Sequence, residues 1–246
     1  MHPLAIVTGA SRGIGRGIAL ELSKSHHVIA TYKGNREAAE SLALEGKGAI
    51  SILQSDVSQA AERQALVEFA LSKSPRIDLL VNNAGIAPRE RKDVLEANEE
   101  SLDELLNTNL KGPHFLTQLV AKHMVEQRQG RIVFVSSVSS FASSVNRSDY
   151  CMTKAALSMC AQTYALRLAP EGVLVFEIQP GVIATDMIAK VKELYEEKIQ
   201  GGLLPQRRMG TPEDIAKCVR GIAEGYLDYC AGQVLNADGG FHLRAL

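Results

Sequence analysis

Residues 8 to 20 read TGASRGIGRGIAL, and Gly9, Gly13 and Gly15 stand between the apolar run Leu4–Thr8 and Ile14–Ser25, whose apolar residues recur at helical spacing. A strand that turns on glycines directly into a helix offers unpaired N–H groups and a partial positive charge at the helix start, and glycine lets backbone approach a phosphate closely. The stretch therefore reads as a pyrophosphate cradle opening a βα unit. Its spacing is Gly-x-x-x-Gly-x-Gly and departs from the commoner Gly-x-Gly-x-x-Gly fingerprint.

Outward from this stretch, short apolar runs alternate with longer helical segments, as in a parallel sheet. The expected strands are Leu4–Thr8, Val28–Tyr32, Ala49–Leu53, Leu79–Asn82, Ile132–Ser136, Val173–Gln179 and Gln233–Asn236, nearly all apolar as befits strands covered on both faces. Helices are expected over Ile14–Ser25, Arg36–Leu44, Gln59–Ser74, Ser101–Gln127, Tyr150–Ala169 and Pro212–Glu224. The expected fold is α/β: one Rossmann-type, doubly wound parallel sheet of about seven strands with helices on both faces, spanning residues 1–246 as a single domain. Ligands of such sheets bind beyond the strand carboxyl ends, so function belongs just after Thr8, Asn82, Ser136 and Gln179.

Composition narrows the partners. With 27 basic and 28 acidic residues the chain carries a formal charge of −1, which gives nucleic acid or an anionic membrane no field to follow. Cys151, Cys160, Cys218 and Cys230 form no CxxC and no metal-ligand spacing, so no metal is expected and the thiols suit a reducing, cytoplasmic setting. No secretion signal and no apolar stretch of membrane length is present, so no membrane role is expected.

Four more stretches carry chemistry: NNAG at 82–85, VSSVSS at 135–140, YCMTK at 150–154 and PGVIATDM at 180–187. Together with the glycine spacing they identify the chain as resembling the short-chain dehydrogenase/reductase family over nearly its whole length. GRIVFVSSV, PGVIATDM and the closing NADGG are most similar to bacterial 3-oxoacyl-acyl-carrier-protein reductases. The resemblance implies a catalytic set of Asn109, Ser137, Tyr150 and Lys154. It also implies a nicotinamide dinucleotide bound by Gly9, Ser11, Arg12, Gly13, Ile14, Gly15, Tyr32, Lys33, Asp56, Val57, Asn83, Ala84, Gly85, Tyr150, Lys154, Pro180, Gly181, Ile183 and Thr185. Asp56 reads equally as the acid that meets the adenine ring and as the cap of the next helix.

Residues i and i+4 share a helix face, so Lys154 lies beside the Tyr150 phenol. A nearby ammonium favours the phenolate of a group whose ordinary pKa is about 10, which turns the pair into a proton-transfer device. Ser137, thirteen residues before Tyr150, matches the family serine that bonds the substrate carbonyl; Ser136 and Ser139 are its neighbours in the same run. The resemblance gives Asn109 a main-chain carbonyl that holds a water bonded onward to the lysine. Pro113, four residues later, cannot donate to that carbonyl, and with Gly112 it should kink the helix.

The second strand ends VIATYKGNR, with Tyr32 and Lys33 where an acid would receive the ribose hydroxyls of NAD. Two cations, Lys33 and Arg12, suit a 2′-phosphate, so NADP(H) is expected ahead of NAD(H). The substrate is expected to be a small carbonyl compound or an acyl thioester. Arg128 and Arg131 could receive an acidic acyl carrier protein, while Glu171 would repel it. Segments 86–98 and 186–209 should form the substrate rim. A sugar, polyol or other small-carbonyl dehydrogenase is the alternative, and a non-enzymatic dinucleotide sensor a more distant one. The resemblance implies a homotetramer built on the long helices and the C-terminal strand.

Overall fold

Leu4, Ala5, Ile6 and Val7 are each at most 1% exposed, which is possible for consecutive residues only when a strand is covered on both faces. Leu4 and Ile6 point into one apolar cluster, Ala5 and Val7 into another. The computed structural model describes residues 2–244, the side chain of Lys190 excepted.

The first half runs β1 (Leu4–Val7), α1 (Gly13–Leu22), β2 (His27–Tyr32), α2 (Arg36–Glu45), β3 (Ile50–Gln54), α3 (Ala60–Lys73) and β4 (Leu79–Asn82). The second runs α4 (Glu99–Leu106), a π-helical turn at Asn107–Lys111, α5 (Gly112–Gln127), β5 (Gly130–Val135), α6 (Ser148–Leu168), β6 (Val173–Pro180), α7 (Lys192–Gln200), α8 (Pro212–Ala223) and β7 (Val234–Ala237). All seven strands are parallel, in the order β3-β2-β1-β4-β5-β6-β7. The sheet is that of a single Rossmann-like domain.

Ile18 and Leu22 of α1, Leu42 of α2 and Ile215 and Val219 of α8 cover one face. Leu66 of α3, Leu116 and Val120 of α5 and Leu157 of α6 cover the other. The chain winds outward from β1 to β3 and then returns to place β4 on the other side of β1. The strand order reverses between β1 and β4, and this opens the crevice where ligands bind in such sheets.

The expected strands agree with the observed ones to within about two residues at each end. The helix expected over Ser101–Gln127 is instead interrupted. Pro113 has no N–H to give, and Gly112 donates to Asn107 five residues back, so the ladder widens by one residue at Asn107–Lys111. Close packing sets the place: a Cβ on Gly112 would lie 2.9 Å from the Val57 carbonyl oxygen. α7, within the expected rim 186–209, escaped the pattern because KELYEEKIQ buries Ile199 alone and has no apolar period.

Candidate active site

The glycine loop is clamped from β4. The Asn83 side chain donates to the carbonyls of Thr8 (2.8 Å) and Gly9 (3.1 Å), while the Thr8 hydroxyl accepts from the N–H groups of Asn83 and Ala84, both at 3.0 Å. Gly9 has φ of 65°, and a Cβ there would sit 2.8 Å from the Ala84 Cα; one on Gly15 would sit 2.4 Å from the Asn83 side-chain nitrogen. These glycines are therefore required by strand-end packing as well as by any phosphate. α1 starts at Gly13 with no side chain capping its first turn and no acid within it. A helix start with free N–H groups and no negative charge fits a pyrophosphate. Ser11 and Arg12 lead into this turn, and Ile14 packs on the core beneath it.

The four expected catalytic residues lie at the same end of the sheet, beyond β4 and β5. Tyr150 is 7% exposed and Lys154 4%, both on α6. The Lys154 Nζ lies 5.7 Å from the Tyr150 ring centroid and donates to the Val135 carbonyl at 3.2 Å. Ser137, just past β5, accepts from the Ser139 N–H at 3.0 Å, which leaves its own O–H to donate. Asn109 is fully buried in the π turn. Its side chain holds Ile86 by both backbone groups, at 2.8 and 3.0 Å, and donates to the Thr153 hydroxyl at 3.2 Å. The segment after Gly85 is thus fastened to α6 one residue before Lys154. A Cβ on Gly85 would lie 3.6 Å from Lys154 Nζ, so backbone approaches the lysine closely there.

Burial dominates the titration of the pair. It pushes the Tyr150 phenol up, against the smaller downward pulls of the Ser137 hydroxyl and the Arg147 guanidinium. It pulls the Lys154 ammonium down to about 8, against the upward pull of the Glu177 carboxylate. In the chain alone burial prevails over the groups that favour the phenolate, the Ser137 hydroxyl and the Arg147 guanidinium, whose carbon lies 5.6 Å from the ring centroid.

At the adenosine end, Tyr32 is buried at the close of β2. Lys33 is exposed and paired with Asp56 at 2.7 Å. Asp56 also accepts from the Ser58 N–H and hydroxyl, so the acid braces the turn before α3. Arg12 is 71% exposed and lies 3.7 Å from Asp186. Val57 and Ile183 are buried, so backbone is what they can offer a ligand. Thr185 reaches the glycine loop, its methyl 3.4 Å from where a Cβ on Gly13 would stand. Pro180 ends β6, and the Gly181 N–H is already bonded to Ala237 at 3.1 Å. A cavity of about 520 Å³ opens between segment 86–98 and the start of α6, with Arg89, Asn98 and Asp149 in its wall.

Sequence reasoning missed Thr8, Arg147 and Glu177. Thr8 could have been found as a hydroxyl at a strand end, and Glu177 as the one charged residue in the mostly apolar VLVFEIQP. Nothing in sequence spacing points to Arg147. Among the described residues no group of three or more His, Cys, Asp or Glu side chains is placed to hold a metal ion, and no helix is long and apolar enough to cross a membrane.

Known proteins share both sequence and geometry. The chain is 34% identical over 248 residues to the 3-oxoacyl-[acyl-carrier-protein] reductase FabG of Staphylococcus aureus, covering 99% of each. A 3-oxoacyl-[acyl-carrier protein] reductase from Brucella melitensis, solved in complex with NAD, superposes with a TM-score of 0.94 at 39% identity, covering 100% of this chain and 99% of that one. ElxO with NADP bound superposes with a TM-score of 0.89 at 28% identity, covering 98% and 99%. The family model for short chain dehydrogenases matches residues 3–196, which contain the glycine loop, the π turn and all of α6. The chain belongs to the short chain dehydrogenase family, and it is an oxidoreductase similar to 3-oxoacyl-[acyl-carrier-protein] reductases.

Proposed function

We propose that residues 1–246 form a single NADP(H)-binding domain that interconverts a carbonyl and a secondary alcohol, with a 3-oxoacyl thioester as the substrate class. The observation that carries this reading is the convergence of Ser137, Tyr150 and Lys154 beside the clamped glycine loop. The nicotinamide coenzyme, when bound, supplies the hydride in one direction and takes it up in the other. The chain handles the proton and the orientation. Tyr150, kept protonated by burial, gives its proton to the substrate oxygen, and Ser137 donates a hydrogen bond to the same oxygen. Lys154 places a positive charge next to the phenol. Asn109 holds the wall after Gly85 against α6.

NADP(H) is favoured over NAD(H) because no acid ends β2 and Arg12 stands exposed in the glycine loop. Lys33 shares its charge with Asp56 at 2.7 Å and Arg12 lies 3.7 Å from Asp186, so the preference should be smaller than two free cations would give. Assembly as a homotetramer is supported by Met152, Met159 and Leu166, which stand at seven-residue spacing on α6 and are 52%, 60% and 84% exposed. Four free cysteines suit work in the cytoplasm.

A second reading, a sugar, polyol or other small-carbonyl dehydrogenase, draws on the face that would meet an acyl carrier protein. Glu171 pairs with Arg167 at 3.1 Å and lies 3.7 Å from Arg128, while Arg131 pairs with Asp228 at 2.7 Å. These arginines are already matched by acids, which weakens the field a carrier protein would follow. The test is NADPH oxidation by the purified protein with an acetoacetyl thioester, free and carrier-bound, beside keto sugars and diketones. Turnover with the thioesters, steeply salt-dependent for the carrier-bound form, is the expected result; turnover with keto sugars alone would select the second reading.

A further inference from the structure

Glu177 sits in the middle of β6, flanked by Phe176 and Ile178, and is 2% exposed. An isolated carboxylate in such a place costs several kcal/mol unless it is well bonded, and apolar side chains of similar volume usually serve a buried strand as well or better. This one is bonded at both oxygens. Ser136 donates to Oε1, Gln179 donates to Oε1 at 2.8 Å, and Ser158 donates to Oε2 at 2.7 Å. All three donors are neutral, so the network satisfies the carboxylate without cancelling its charge.

The donors are placed tellingly. Ser136 directly precedes Ser137, Gln179 directly precedes Pro180 and Gly181, and Ser158 lies one helical turn beyond Lys154 on the same side of α6. One carboxylate thereby ties together the ends of β5 and β6 and the helix that carries the proton-transfer pair. We propose that Glu177 is the buried counter-charge of Lys154 and the positioning residue that registers α6 against the strand ends bearing Ser137 and Pro180.

The surroundings of Lys154 support this assignment. Tyr150 faces it from its own helix, the segment after β4 and the π turn face it with neutral Gly85 and Asn109, and β5 faces it with the Val135 carbonyl. Arg147 lies over the Tyr150 ring. Burial disfavours the Lys154 ammonium, and the Glu177 carboxylate, tied to α6 through Ser158 one turn away, favours it in part.

The inference rests on the proposed binding of a nicotinamide coenzyme, and its test needs no substrate. NADPH affinity is followed by fluorescence titration from about pH 6 to pH 10 for the wild type and Glu177→Gln. Loss of the Lys154 ammonium should give an alkaline limb, and the Gln variant, similar in shape but uncharged, should move its midpoint to lower pH by roughly one unit, the low end for a neighbouring charge. Near pH 6 the two proteins should bind within about twofold of each other, and near pH 9 the variant should be about tenfold weaker. Wild-type protein that binds neither NADPH nor NADH overturns the coenzyme reading. Binding with coincident limbs, or a loss equal at every pH, overturns the role of Glu177. If the Gln variant does not fold, Glu177→Asp, which keeps the charge and withdraws it by one methylene, should move the midpoint in the same direction by a smaller amount; an unmoved midpoint refutes the proposal.

Discussion

Replacing Lys154 by methionine should change the pH dependence of stability as well as activity. Burial pulls the Lys154 ammonium down to about 8 in the native chain, from the ordinary 10.5 of an exposed lysine. At ~1.36 kcal/mol per pH unit, that difference makes the native cation cost about 3 kcal/mol near neutral pH. The sign follows from proton counts. Below about pH 8 both states are protonated and the cost is present in full; between about 8 and 10.5 the unfolded chain holds more protons than the native one, so stability rises with pH until the cost is gone. Lys154→Met lacks this rise. The variant also leaves the Val135 carbonyl without its partner, worth about 1–3 kcal/mol, but that loss is the same at every pH and cancels between conditions. Urea unfolding near pH 7 and pH 10, at one fixed protein concentration, should therefore show the wild type gaining roughly 2–3 kcal/mol on the variant. Parallel pH profiles for the two proteins would refute the claim that a destabilised cation is buried here.

Tyr150→Phe should leave NADPH binding within about twofold and lower turnover about 10²- to 10⁴-fold, read by titration and steady-state rates; retained turnover would remove Tyr150 from the proton path. Arg12→Ala should raise the KM for NADPH about tenfold and leave that for NADH nearly unchanged, whereas Lys33→Ala, whose charge is shared with Asp56, should raise the NADPH value only about two- to threefold. A wild-type preference for NADH overturns the assignment of the phosphate site.

The fold was legible because apolar runs such as LAIV and RIVFV can be nothing but strands covered on both faces once glycines, caps and helical spacing bracket them. The geometry of the candidate site was legible where spacing along one element fixes a shared face, as for Tyr150 and Lys154. It was not legible where partners come from distant segments. Lys33 and Asp56 read as separate groups and are an ion pair; Asn109 read as a free carbonyl and also binds Ile86 and Thr153 through its side chain. The helix break was half visible. Pro113 announced a lost hydrogen bond, but the wider turn depends on how closely Gly112 meets Val57, a contact between segments more than fifty residues apart.

Burial acts on Tyr150 and Lys154, the two groups proposed to handle the proton, in the same sense, towards neutrality, yet with opposite consequences. It raises Tyr150 and so favours the protonated phenol at every pH below its ordinary range, while it lowers Lys154 and brings loss of the ammonium to about pH 8. Below that value the chain holds a phenol with a proton to give and a cation beside it, the arrangement that proton donation to a carbonyl oxygen requires. Taking up a proton from an alcohol needs the phenolate, which burial opposes and which the guanidinium of Arg147 and the hydroxyl of Ser137 only partly restore. Raising the pH to form it removes the ammonium first. Near neutral pH the chain alone therefore presents a protonated phenol beside an ammonium, and on the proposed role of Glu177 its carboxylate sets how far above neutrality that arrangement survives.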